Sequence, residues 1–263
     1  MPLCEIVATH GKQNNNTQTL HMKKTLLIAA AALAAGIIST QASSVYSQNI
    51  VGYANIPTSG GSTYAMSVPF AIGVSNGANE VWPLSGGNPT IPDGSQLMLW
   101  NGSGFDTYLS DSGSASLWDD NGGNPIPNAP LVEVGQGFFL IPAANTTNSF
   151  SGSIAINSGT TNNTVLSGGV TVCIGSVVPY AGAVTNGTST AGGIALSSNN
   201  NLPDGSTLQI WNGSGFDTYL SDSGSSSLWD DNGGNPIPVP PSLSIGQAFF
   251  FIPAANFTWT QGL

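Results

Sequence analysis

Two short acidic loops contain the residues best suited to bind a metal ion. Each loop reads Trp-Asp-Asp-Asn-Gly-Gly-Asn, at residues 118–124 and again at residues 229–235. Clustered carboxylate and amide oxygens on a flexible loop suit Ca²⁺. The predicted ligands are Asp119, Asp120, Asn121, Asp230, Asp231 and Asn232. The alternative is a solvated turn whose side chains accept hydrogen bonds from backbone N–H groups, because the acids lack the alternating spacing of an EF-hand loop.

The same set of aromatic residues accompanies each acidic loop. Aromatic faces beside amides and carboxylates can hold sugar rings through apolar contact and hydrogen bonds. The predicted ligand-binding residues are Trp100, Tyr108, Trp118, Trp211, Tyr219 and Trp229. The alternative is core packing, because an alternating β-hairpin turns some of its aromatic side chains inward.

The N-terminal segment is typical of a secretory signal peptide. Met22, Lys23 and Lys24 form a short basic head, and residues 25–38 are an apolar, alanine-rich run. This run is shorter than the roughly 20 residues that a membrane span needs. We expect residues 1–42 to be a signal peptide cleaved after Ala42, with Met22 as an alternative start of translation.

Cleavage would leave an acidic chain without basic side chains. The chain has no arginine, and its other basic residues all lie in the leader: Lys12, Lys23, Lys24, His10 and His21. Of the 13 acidic residues only Glu5 precedes the cleavage site, so twelve remain. Nucleic acids and anionic lipids are bound mainly through Lys and Arg. The composition therefore excludes both as partners.

Few residues could support catalysis. An enzymatic nucleophile needs an activating base beside it, and the mature chain has no His or Lys. Cys173 is the one thiol left after cleavage, so it cannot form an intramolecular disulfide, and its apolar neighbours predict a buried residue. Paired carboxylates can hydrolyse glycosides, but Glu80 and Glu133 occur only in the first half of the chain. We therefore expect a non-enzymatic protein.

A long internal repeat organises the chain. Residues 100–127, WNGSGFDTYLSDSGSASLWDDNGGNPIP, return at residues 211–238 with one change, Ala115 to Ser226. The two copies are 111 residues apart, whereas the units of solenoids repeat every 20 to about 50 residues, so the repeated unit has the size of a domain. The repeat predicts two similar tandem β domains, residues 48–156 and 163–263. One pseudo-symmetric β-sandwich is the alternative.

Short strand signals bounded by Gly and Pro predict an all-β fold, with sandwich or barrel-like domains. Apolar residues at helical spacing are absent after the leader. The Asn-Gly pairs at positions 101 and 212 predict β-hairpins. The predicted strands and hairpins cover residues 48–56, 62–68, 97–109, 136–141, 170–178, 207–220 and 247–252. Residues 136–141 and 247–252 are continuous apolar runs, which indicates strands buried on both faces.

Three motifs resemble those of a group of secreted two-repeat proteins from planctomycete and verrucomicrobial bacteria. They are the mature start SVYSQN with Val-Gly-Tyr at residues 51–53, the hairpin Trp-Asn-Gly-Ser-Gly-Phe, and the later Gly-Gln-Gly-Phe-Phe at residues 135–139. The second copy departs from the last motif at Ala248. The resemblance implies export and a β fold. The group has no established activity to carry over.

These observations predict a secreted protein with a structural or adhesive role at the bacterial cell surface or in the extracellular matrix. The alternative is a carbohydrate-binding module with one site per repeat, assisted by calcium. The expected partners are a polysaccharide or further copies of the same chain. Exposed β edges favour self-association, and the mature chain has no Lys to block them.

Overall fold

The computed structural model describes residues 51–85, 88–156, 161–185, 196 and 202–262. The chain from Gln48 to Leu263 forms one compact unit. We call residues 51–156 the first half and residues 161–262 the second half. The predicted signal peptide, its cleavage site and the mature start lie outside the described residues, so they stay predictions.

The regular secondary structure of the described residues is almost entirely β-strand, which confirms the all-β prediction. The strands of the first half are β1 (Val51–Thr58), β2 (Tyr64–Ser67), β3 (Leu84–Ser85), β4 (Asn88–Pro89), β5 (Gln96–Trp100), β6 (Phe105–Ser110), β7 (Trp118–Asp120), β8 (Gly137–Ile141) and β9 (Thr146–Ser153). One short helix, α1 (Ala78–Val81), precedes β3. The sequence did not predict this helix, which is a single turn.

The second half repeats the order of the sheet and ribbon strands, but β12 pairs with the distant β16 where the first half has the β3-β4 hairpin. Its strands are β10 (Thr161–Leu166), β11 (Val172–Gly175), β12 (Gly182–Ala183), β13 (Thr207–Trp211), β14 (Phe216–Ser221), β15 (Trp229–Asp231), β16 (Ser242–Leu243), β17 (Ala248–Ile252) and β18 (Phe257–Gly262). Among the helices of the residues with a described structure, none is long and apolar enough to cross a membrane.

Each half contains a five-stranded antiparallel sheet and a two-stranded antiparallel ribbon. The sheet orders are β2-β8-β5-β6-β7 and β11-β17-β13-β14-β15, and the ribbons pair β1 with β9 and β10 with β18. The predicted hairpin is confirmed, since β5 pairs with β6 around a turn in which Gly102 has a φ of 97°. A side chain is strained at this φ, which explains the glycine.

The ribbon and the sheet of each half enclose one hydrophobic core. In the first half Ala54 and Phe150 of the ribbon share a cluster with Leu97 and Phe138 of the sheet. In the second half Leu166 of the ribbon belongs to the same kind of cluster with residues of β13 and β17. Two layers around a common core make each half sandwich-like, as the strand pattern predicted.

The second strand of each sheet, β8 or β17, is buried on both faces. Phe138 of β8 points into the first core, whereas the next residue, Phe139, belongs to a third cluster with Phe250 of β17. Successive side chains of a strand alternate between faces, so one strand can serve two cores. This confirms the prediction of doubly buried strands and joins the two halves through their sheets.

Candidate functional site

The two aspartates of the first acidic loop point in opposite directions, because they are neighbours on β7. Asp119 is only 7% exposed, and its carboxylate accepts a short hydrogen bond from the hydroxyl of Ser114. Asp120 Oδ1 accepts hydrogen bonds from the backbone N–H of Gly122 at 2.8 Å and of Asn124 at 2.9 Å. The side-chain amide of Asn124 also donates to both carboxylate oxygens, at 3.1 Å each.

The second acidic loop has the same geometry. Asp230 is buried and accepts a short hydrogen bond from Ser225, and Asp231 accepts from the backbone N–H of Gly233 at 2.8 Å and of Asn235 at 2.9 Å. Hydrogen bonds from Asn235, backbone first, hold the pKa of Asp231 below its ordinary value. Asn124 lowers the pKa of Asp120 in the same way.

These contacts match the solvated-turn alternative more closely than a calcium site. Asn121 and Asn232 are exposed beside the capped aspartates. Within the described ranges, no three His, Cys, Asp or Glu side chains form a group that could hold a metal ion. No Lys, Arg or His follows residue 24, so no basic side chain from this part of the chain can pair with these aspartates. The positive ends of backbone N–H and hydroxyl dipoles stabilise the carboxylates instead. Calcium binding stays a prediction for titration to test.

Other aspartates stabilise the turns around each loop in the same way. Asp93 accepts hydrogen bonds from the backbone N–H of Ser112 at 2.9 Å and from its hydroxyl at 2.6 Å. Asp204 does the same for Ser223, at 2.8 Å in both contacts. The recurring carboxylates therefore position the loops.

Trp118 and Trp229 lie in the cores and have no exposed surface. The ring of Trp118 packs 5.8 Å from that of Trp82, measured between centroids. A sugar cannot reach either buried indole. This corrects the prediction that both tryptophans bind a ligand, and it supports the core-packing alternative. The alternation of the strand places each indole and the aspartate that follows it, Asp119 or Asp230, on opposite faces, and both side chains are buried.

Tyr108 and Tyr219 are half-buried and pack against the two cores. Burial, and then the nearby charge of Asp106, raises the pKa of the Tyr108 phenol. Burial and Asp217 do the same for Tyr219. Both hydroxyls therefore stay protonated at neutral pH. The two rings pack against the clusters that contain Trp118 and Trp229, whereas Trp100 and Trp211 belong to a different cluster.

Trp100 and Trp211 lie where the two halves meet. Each is half-buried, and each indole N–H crosses to the other half: Trp100 donates to the carbonyl of Thr171 at 3.2 Å, and Trp211 donates to the carbonyl of Thr63 at 2.8 Å. The two hydrogen bonds therefore join equivalent positions of the two repeats. The structure brings these two tryptophans together, whereas it separates them from the tyrosines and from the buried tryptophans.

The aromatic contacts between the halves are also reciprocal. The ring centroids of Trp100 and Phe250 are 5.2 Å apart, and those of the corresponding pair, Phe139 and Trp211, are 5.7 Å apart. Phe139 and Phe250 face each other across the centre at 6.3 Å. An interface in which each half presents the same patch to the other is the arrangement of a two-fold symmetric dimer. Here one chain supplies both patches.

Glycine allows the two backbones to approach closely at this interface. The N–H of Ser67 donates to the carbonyl of Gly246, and the N–H of Gly175 donates to the carbonyl of Gly135, both at 2.8 Å. A Cβ atom on Gly137 would lie 2.6 Å from the sulfur of Cys173. The sequence repeat alone did not reveal these contacts. The only available signal was the pair of Phe-Phe runs in doubly buried strands.

Cys173 and Glu80 have strongly shifted pKa values. Cys173 is buried, as predicted, and burial raises the pKa of its thiol to about 12, so the reactive thiolate is absent at neutral pH. The carboxylate of Glu80 accepts hydrogen bonds from the backbone N–H groups of Val74, Ser75 and Gly77, which lower its pKa to about 2. Burial and local hydrogen bonds therefore account for both pKa shifts.

Comparison with known proteins provides no further indication of function. No family model, curated protein or solved structure matches the chain. The resemblance to secreted two-repeat proteins therefore stays a prediction.

Proposed function

We propose that this protein is an exported structural or adhesive component of the bacterial cell surface or extracellular matrix, without enzymatic activity. We also propose that its two halves arose by internal duplication and are two similar β domains. The observation that carries this proposal is the reciprocal aromatic interface. It joins the repeats into one compact unit, which suits a structural or display protein.

The state of the chemically active side chains supports a non-enzymatic role. The recurring aspartates of both loops cap backbone N–H groups, and two of the four repeated tryptophans fill the cores. Cys173 has a thiol pKa of about 12 and lies in the apolar interface cluster. A nucleophile needs a lowered pKa or an adjacent base, and this cysteine has neither among its surroundings in that cluster.

The outer faces of the ribbons offer a surface for assembly. Val51 and Tyr53 of β1 are 71% and 64% exposed, and Val165 of β10 is 75% exposed. Unpaired strand edges and exposed apolar side chains promote contact between copies. Twelve carboxylates without cations oppose that contact, so self-association should depend on ionic strength.

Light scattering across a salt series tests the assembly version of the proposal. We expect the mean mass to rise as NaCl screens the repulsion between copies. The matched variants Tyr53→Ser and Val165→Ser, which remove apolar surface from the two ribbons, should reduce this rise. A monomer at every ionic strength would eliminate self-assembly and leave adhesion as the structural role.

Export is tested by expressing the chain with its own leader in a bacterial host. We expect the product to leave the cytoplasm with Ser43 as its first residue, determined by mass spectrometry of the intact protein. Cell fractionation should place it on the cell surface or in the surrounding matrix. Retention of the full-length chain in the cytoplasm would contradict the proposal.

A further inference from the structure

A groove of about 470 Å³ runs along the junction of the two halves. We call it the seam groove and define it by Tyr64 and Met66 of the first half and by Trp211, Asn212, Ile245 and Gln247 of the second half. Its size is within the range of about 300 to 1,000 Å³ that is typical of small-molecule sites. It exists only because the two halves meet.

The walls of the seam groove are held in place before any ligand arrives. The indole N–H of Trp211 donates to the carbonyl of Thr63 at 2.8 Å, and the hydroxyl of Tyr64 accepts from the N–H of Ser59 at 2.8 Å. On the opposite wall the side-chain oxygen of Gln247 accepts from the N–H of Ser244 at 2.9 Å. A preorganised site loses less conformational entropy on binding.

The chemistry of the lining selects for uncharged ligands. Aromatic and aliphatic surfaces alternate with amides and hydroxyls, and no Asp, Glu, Lys, Arg or His lines the groove. A cation would therefore find no carboxylate there. An anion would be repelled by the net negative charge of the surrounding protein. A ligand with apolar ring faces and neutral hydroxyl groups satisfies both conditions.

We propose that the seam groove binds a segment of a neutral polysaccharide, one site per molecule. The face of a sugar ring would pack on the exposed aromatic surface of Tyr64 and Trp211, and its hydroxyls would bond with the amides of Asn212 and Gln247. This inference goes beyond the structural role and does not depend on it. It also differs from the carbohydrate-binding module considered from the sequence, which had one site per repeat, because the seam groove is a single site formed by both repeats.

The corresponding groove on the other side of the interface lacks these properties. Its volume is about 260 Å³, and its lining includes the charged Glu133 beside Gln136, Thr164 and Trp259. Glu133 and Gln136 correspond in the repeat to Ser244 and Gln247 of the seam groove. Trp100, the counterpart of Trp211, is not among its lining residues. The repeat thus supplies Glu133 as a matched control position for Ser244.

The test is affinity electrophoresis of the full chain in gels containing neutral polysaccharides (β-glucan, mannan, xylan or dextran) or anionic polygalacturonate. We expect at least one neutral polymer to retard the protein and the anionic polymer to have no effect. Ser244→Phe places a bulky ring in the seam groove from an exposed position and should raise the apparent Kd about tenfold or more. Glu133→Phe, at the equivalent exposed position, should leave retardation unchanged.

Three results would overturn the inference: no retardation by any neutral polymer, unchanged retardation of Ser244→Phe, or equal losses in both variants. Melting temperatures of the two variants, measured in parallel, confirm that each is folded. Fluorescence titration with an oligosaccharide of the retained polymer should give a stoichiometry of one. Failure of binding would leave the export and light-scattering results intact, so the two proposals can fail separately.

Discussion

The two halves build the same core with different residues. In the first half Trp82, which follows helix α1, packs edge-on against Phe138 with ring centroids 5.8 Å apart. In the second half Trp259 of strand β18 packs in the same way against Phe249, at 5.7 Å. Phe138 and Phe249 are equivalent in the repeat. Each core thus has one tryptophan packed against the equivalent phenylalanine, but the two tryptophans come from non-equivalent positions in the chain.

A further exchange accompanies this change. The residue of the first half that corresponds to Trp259 is Asn148, which is buried and accepts a hydrogen bond from the indole N–H of Trp82 at 2.9 Å. In the first half the tryptophan comes from another segment, and the smaller Asn at the strand position accepts the hydrogen bond of its N–H. Each core therefore needs a tryptophan-sized side chain beside Phe138 or Phe249. The segment of the chain that supplies this side chain can differ.

The acidic loops behave in the opposite way. Their sequences and their hydrogen bonds repeat almost without change: the contacts of Asp120 with Gly122 and Asn124 measure 2.8 and 2.9 Å, as do those of Asp231 with Gly233 and Asn235. Each carboxylate accepts hydrogen bonds from specific N–H groups, so substitution of the aspartate would leave several of these donors without an acceptor. Directional contacts tolerate less variation than packing does.

The largest expected effect is the loss of either core tryptophan. Trp82→Ala and Trp259→Ala should each lower the free energy of unfolding by about 3–5 kcal/mol, because both leave a large cavity against an equivalent phenylalanine. Urea denaturation followed by circular dichroism measures the loss. Val165→Ala, at a 75% exposed site, is the control and should cost little. A loss below about 1 kcal/mol for one tryptophan alone would show that the two do not play equivalent roles.

The contact between Gly137 and Cys173 should show strong coupling. Gly137→Ala places a methyl group against the buried sulfur and should cost about 1–3 kcal/mol through overpacking. Cys173→Ala makes room, so the double variant should be more stable than the sum of the single effects predicts. The equivalent contact between the halves already has this pair of alanines, Ala248 and Ala65. Additive effects in thermal unfolding would mean that the two residues do not compete for space.

Acid should weaken the protein through Glu80, which has no glutamate counterpart in the second half. Its ordinary pKa of 4.5 falls to about 2 in the fold. A carboxyl with a lowered folded pKa contributes stability that is fully present above pH 4.5 and is lost as the pH falls towards 2. Glu80→Gln should therefore reduce the pH dependence of stability in this window.

Melting temperatures between pH 2 and pH 6 measure this effect. Asp120 and Asp231 also have lowered pKa values, so part of the acid sensitivity should remain in Glu80→Gln. Glu133→Gln removes the same charge from an exposed site and is the control. Identical pH profiles for the wild type and Glu80→Gln would refute the role assigned to the backbone N–H groups of residues 74, 75 and 77.

The smallest expected effect is that of calcium. Asp120 Oδ1 already accepts hydrogen bonds from two backbone N–H groups and one side-chain amide, which a cation would have to displace. We expect equal melting temperatures in CaCl₂, MgCl₂ and EDTA at fixed ionic strength. A rise in calcium that disappears in the double variant Asp119→Asn, Asp230→Asn would support the calcium-assisted alternative, since a ligand of the folded state stabilises it by mass action.

The sequence by itself was enough to predict the all-β class, the hairpins at residues 97–109 and 207–220, the doubly buried strands and the burial of Cys173. These features depend on local patterns: alternation, Asn-Gly turns and continuous apolar runs. Only the tertiary structure decided which face each aromatic residue of the repeat occupies. Trp118 entered a core, whereas Trp100 reached the interface, although both stand in the same near-identical stretch.

The seam groove depends even more fully on the tertiary structure. Tyr64 and Trp211 are far apart in the chain and belong to different repeats, so no local pattern relates them. Their proximity comes from the reciprocal packing of two sheets, and a site formed by that packing cannot be read from either copy alone. The physical reason is that alternation determines which side chains share a face, whereas long-range packing determines what that face meets.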